Sequence, residues 1–137
     1  MTLLRYHILK GNLSPMYKEL MKRIVEIDVL KHDTWSNVDN LNGKCALVTC
    51  MNFMSCLGYR APTAWQDTLE ISGKLLMNDG VLAMFDHVKH GNFGNKAVME
   101  EFVKEKNLNF ELVKMDYAPW TGGKFVCLVW KKVENKA

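Results

Sequence analysis

Phe110–Lys132 reads "FELVKMDYAPWTGGKFVCLVWKK". Two runs rich in aliphatic, aromatic and β-branched residues flank the turn-forming "PWTGG". Strands joined so tightly pair antiparallel. Yet Phe125–Trp130 is almost continuously apolar, and an exposed sheet edge tolerates such a strand poorly. The final strand is therefore expected inside the sheet, inserted in reverse between older strands.

The segments upstream alternate. "NKAVMEEFVKEKN" (95–107) places Val98, Met99, Phe102 and Val103 on one helical face, with Asn95 as its candidate cap. The loop before it contains "GNFGN", expected to be a mobile lid or a simple turn. "VLAMFDHV" (81–88) is an apolar strand. In "APTAWQDTLEISGKLLMNDG" (61–80), Trp65, Leu69, Ser72 and Leu76 share a face. Thr63 is the candidate cap of that helix, and Gly80 its end. "CALVTCMNFM" (45–54) is apolar enough to be buried on both faces, as a central strand is. "SNVDNLNGK" (36–44) reads as loop, "IVEIDVL" (24–30) and "LLRYHIL" (3–9) as strands, and Ser14-Pro15 as a helix start.

The 137 residues suit one domain, with 48% hydrophobic and 24% charged residues supplying an ordinary globular core. The net charge of +3 comes from scattered residues and does not point to nucleic acid. No apolar run approaches the roughly 20 residues of a membrane span. The N-terminal patch is broken by Arg5, His7 and Lys10 and lacks the core of a secretory signal. Cys45, Cys50, Cys56 and Cys127 lack metal-site spacing, and three sit in apolar surroundings. They read as reduced thiols of an intracellular, cytoplasmic chain, an organelle address being left open.

This order of elements gives an α/β fold: a Rossmann-like, mostly parallel sheet with helices on both faces and a reversed, interior final strand. It resembles the class I S-adenosylmethionine-dependent methyltransferases. "LVTCMNFMSC" is similar to the fourth strand of that family and its following loop. "WQDTLEISGKLLMNDGVLAMFD" resembles the next helix, turn and strand, and "NFELVKMDYAPWTGGKFVCLVWKK" the closing hairpin. The likeness covers about two-thirds of the chain. Residues 24–133 form the family-like core of a single domain, 1–23 a divergent or incomplete start, and 134–137 a tail. The family's glycine-rich cofactor loop has no counterpart, so relative to the family the chain is truncated at its N-terminus. Ala46 stands where an acidic residue is common.

The resemblance implies S-adenosylmethionine as cofactor. It assigns Asp28 or Asp33 to the adenine side, and Cys50 and Met51 to the carboxyl end of the fourth strand. Asn52, Asp86 and His87 are the candidate catalytic residues, since methyl transfer needs alignment and a base. Asp86 follows an apolar strand, where open α/β sheets bind ligands. His87 and His90 also admit a metal site or a solvated loop. A local His partner is missing for Cys50 or Cys56, which favours structural thiols. Trp65 reads as core, whereas Trp120 is a surface candidate.

Two functions follow. One is methyl transfer to a small-molecule, protein or RNA acceptor. The other is a non-catalytic methyltransferase-like subunit or fragment lacking a complete cofactor site, its incomplete sheet covered by a protein partner or a homodimer.

Overall fold

The structure is a computed structural model and describes residues 27–51, 62–88, 92–120 and 123–134, with Pro15, Glu19 and Lys22. Strands β1 (Cys45–Met51), β2 (Leu76–His87), β3 (Phe110–Trp120) and β4 (Gly123–Lys132) form one sheet in the order β1-β2-β4-β3. β1 and β2 are parallel, and β4 runs antiparallel to both β2 and β3. The last strand is thus reversed and interior, as "KFVCLVWKK" demands. β3 shares the direction of β1 and β2, so three of the four strands are parallel.

Helices α1 (Ala64–Leu75) and α2 (Lys96–Glu105) complete the crossovers. Both steps advance the same way along the sheet. Right-handed connections then place both helices on one face. The core confirms this: Trp65 and Leu69 of α1 and Met99 and Phe102 of α2 pack with Leu82, Met84, Leu128 and Trp130. Trp65 meets Phe102 edge-on at 5.2 Å. α1 and α2 thus cover the same face of the sheet.

α1 and α2 follow their sequence patterns closely. Trp65, Leu69 and Ser72 are buried on α1, and Met99, Phe102 and Val103 on α2. Asn95 caps α2, its side chain accepting from the Val98 amide at 3.3 Å. Thr63 makes no side-chain cap bond; its carbonyl accepts from the Gln66 amide instead. The α1 C-terminus is held by Lys132, whose ammonium donates to the carbonyls of Gly73 and Leu76 at 2.8 and 2.7 Å. A cation on these orphan carbonyls satisfies them and complements the helix dipole. It also locks the last strand to the α1–β2 junction.

Four local expectations are corrected. α1 ends at Leu75 and β2 begins at Leu76, so Gly80 lies within a strand and does not end the helix. A Cβ there would stand 2.8 Å from the Met77 carbonyl oxygen and 3.0 Å from that of Cys45, so the backbone packing requires glycine. Ile27–Leu30 is not strand but a turn, because Thr34 and the Asp28 carboxylate bind its backbone groups. The polar stretch after it forms a 3₁₀ helix, His32–Leu41, kinked at Val38. Trp35 and Val38 bury themselves against Ile71 on the outer side of α1, which gives this segment its hydrophobic anchor. Finally, β1 is not buried on both faces: Leu47 is 60% and Met51 65% exposed. Among the described residues β1 is an edge strand.

The expected strand Leu3–Leu9 lies outside the described residues. No helix among the described residues is long and apolar enough to cross a membrane.

Candidate functional site

The carboxyl ends of β1 and β2 lie side by side, with Met51 opposite Phe85 in the register. The amino end of β4 joins them, pairing Phe125 with His87. This is the sheet edge to which the sequence assigns Cys50, Met51, Asp86 and His87.

The four do not converge. Side chains alternate along a strand, so Asp86 and His87 point to opposite faces. Asp86 is completely buried on the helix-covered face, where its carboxylate accepts from the His87 amide at 2.7 Å. Cys50 shares that face. Burial pushes its thiol up from 9.0 to about 11, and the Asp86 charge adds to the rise, while a hydrogen bond with the Thr68 side chain opposes it. A thiol so raised is protonated at neutral pH and is no nucleophile. The Thr68 hydroxyl also donates to the Ala64 carbonyl at 2.8 Å. Cys45, Cys50 and Cys127 form no disulfide among the described residues.

His87 lies on the other face, its ring tilted against Phe125 at 4.6 Å. Its Nδ1 is buried with no hydrogen-bond partner. Such an orphan is costly unless something completes it. Phe125 in turn stacks on Phe85 at 5.0 Å. Met51 is exposed on this same face beside Phe85.

Beside β1 and α1 runs an apolar groove of about 350 Å³, walled by Ile27, Val29, Val48, Met51 and Ile71. Cys50, Thr68 and Ser72 also border it. The Ser72 hydroxyl is fully buried and unpartnered. Thr68 and Ser72 sit one helical turn apart on the inner face of α1, a hydroxyl pair within an apolar stripe. That spacing is visible in the sequence, but the pair becomes informative only once β1 is known to be an edge.

Asp28 lies between two groove residues and is itself exposed. One carboxylate oxygen accepts from the Leu30 amide at 3.0 Å, which makes it first of all a turn former. Asp33 is exposed in the first turn of the 3₁₀ helix. Asn52 and His90 lie outside the described residues, as does the side chain of Trp120. Part of the "GNFGN" loop is described. Phe93 is 2% exposed and inserted in the core, and the Gly94 carbonyl accepts from the Tyr117 hydroxyl at 2.9 Å. These contacts make Asn92–Asn95 a packed turn.

The described residues fit the cofactor implied by the resemblance only in part. The groove offers apolar walls and neutral hydroxyls, and Asp28 places an exposed carboxylate next to its residues Ile27 and Val29. A methionine carboxylate and ammonium need ionic or backbone partners. No charged side chain lines the groove among the described residues, and the sequence carries no glycine loop.

No protein-family model and no curated protein sequence matches this chain. Among solved structures it is similar to the antibiotic-resistance methyltransferase Kmr, with a TM-score of 0.47 and 11% identity over 72% of this chain and 57% of that one. It is also similar to the 16S rRNA (adenine(1408)-N(1))-methyltransferase of Catenulisporales acidiphilia, with a TM-score of 0.49 and 10% identity over 72% and 55%. The chain therefore spans little more than half the length of either structure.

Proposed function

We propose that this chain is an S-adenosylmethionine-dependent methyltransferase-like domain whose cofactor site is completed at the open edge of β1. The observation that carries this is the sheet itself. Among the described residues, three parallel strands closed by a reversed, interior fourth leave β1 as an edge with an apolar groove beside it. In the family resembled, the strand bearing the glycine loop stands there. Ligands of open α/β sheets bind at the carboxyl ends of strands next to such a change in strand order. Asp28, Cys50 and Met51 lie around that point. When bound, the cofactor supplies an electrophilic methyl group. This chain's contribution is to wall the adenosine side and to present His87 towards an acceptor.

The separation of Asp86 from His87 and the inert thiol of Cys50 favour a second reading. In it the same fold serves as a non-catalytic subunit whose open edge and face are covered by a protein partner or by a second copy.

Titration calorimetry with S-adenosylmethionine and with its demethylated product separates the two. Heat saturating at one cofactor per chain supports the first. The absence of heat at high micromolar concentration, together with a dimer or complex by light scattering, supports the second. No heat and a well-behaved monomer would remove both.

A further inference from the structure

A second group of chemically active side chains lies away from this edge, on the outer surface where the 3₁₀ helix meets α1. His32, Asp67 and Glu70 each offer one ligand atom, and the three atoms lie within 4.8 Å of one another. His32 Nε2 and Asp67 Oδ1 are 2.6 Å apart. Neither the strand-edge site nor the methyltransferase reading accounts for this group.

Its parts are held independently. Asp67 and Glu70 are three apart on a rigid helix, so their carboxylates share one face. His32 stacks on Trp35 with ring centroids 4.0 Å apart. Trp35 is itself fixed: it is 5% exposed and its indole N–H donates to the Val29 carbonyl at 3.1 Å. The imidazole is thereby aimed before any ligand arrives, as a metal site requires. Lys106 approaches Glu70 at 4.0 Å and is more than half exposed, a contact easily given up.

The geometry points to a surface site for a divalent transition metal, held by His32, Asp67 and Glu70, which ties the 3₁₀ helix to α1. One imidazole and two carboxylates suit zinc-class ions. Calcium prefers six to eight oxygens, and magnesium an all-oxygen octahedron. Three protein ligands leave a coordination position for water.

The test uses the full chain with zinc chloride and cobalt chloride as probes. Calorimetry is expected to show one zinc per chain, and zinc to raise the unfolding temperature. Glu70→Gln and Asp67→Asn preserve side-chain shape, and each is expected to weaken binding on the order of 10–100-fold, since even outer-shell losses cost this much. His32→Ala should do the same. The cobalt-loaded chain should show visible ligand-field bands and no thiolate charge-transfer band, which excludes the cysteines as ligands. Absence of saturable zinc binding overturns the proposal. So does binding that survives both Glu70→Gln and Asp67→Asn, or a cobalt spectrum dominated by thiolate charge transfer.

Discussion

The two faces of the sheet are made by the same strands and differ sharply. On the helix-covered face Leu82, Met84 and Asp86 of β2 and Val126, Leu128 and Trp130 of β4 are at most 1% exposed. Their chain neighbours Val81, Ala83, Phe85 and His87, with Phe125, Cys127 and Val129, are only part-buried. An apolar composition on both sides of a strand therefore does not imply equal burial. The chemistry divides with the packing. Asp86 is enclosed beneath helices and Cys50 is part-buried on the same side, whereas His87 and Met51 belong to the more open side. Adjacent residues at one strand end thus serve separate environments, which is why the predicted residues do not form one cluster.

The largest expected effect tests the packing difference directly. Leu128→Ala removes a fully buried side chain beneath the helices and should cost about 2–5 kcal/mol. Val129→Ala, its neighbour on the part-buried face, should cost under about 1 kcal/mol. Urea denaturation of both variants measures the contrast. Equal losses would mean that the second face is packed as tightly as the first.

Gly80 sharpens the comparison at the start of β2. It lies on the helix-covered side, two residues before Leu82, where the β1–β2 register shifts. A methyl group there meets two backbone carbonyls that cannot swing aside. Gly80→Ala should therefore destabilise by roughly 1–3 kcal/mol, as overpacking does. A neutral result by thermal unfolding would show that the strand can bulge further to accept it.

The sequence announces those parts of the fold that depend on pattern alone. The reversed interior strand is legible in "GGKFVCLVWKK", and α2 in its Asn95 cap and 3.6-residue stripe. Thr68 and Ser72 are visible as hydroxyls in a stripe, but without a neighbouring edge they carry no meaning. The turn at Ile27–Leu30 is hidden because Asp28 and Thr34 act through backbone groups, while the apolar alternation suggests a strand. Trp35 conceals its segment in the opposite way, a single buried ring anchoring an otherwise polar stretch. The site is less legible than the fold, since a strand's composition does not say which of two adjacent residues faces which environment. His32 and Asp67, which are 35 positions apart, meet only through tertiary packing.

The smallest effect concerns Cys50, which shares the enclosed face with Asp86. Its thiol is raised from 9.0 to about 11, so between these values the folded chain holds a proton that the unfolded chain releases. The unfolded state then binds fewer protons, and stability must fall as pH rises. The stabilising contribution is complete below pH 9.0 and lost as pH approaches about 11. The slope attributable to one such group is at most about 1.4 kcal/mol per pH unit. Lysines and tyrosines titrate in the same window, so the informative quantity is the difference from Cys50→Ala, followed by urea denaturation across it. The variant should show the shallower decline. Asp86→Asn should also flatten the wild-type slope, though less, because burial is the larger cause and the carboxylate the smaller. If Cys50→Ala and the parent chain decline in parallel, water reaches Cys50, and the helix-covered face is not closed at its carboxyl end.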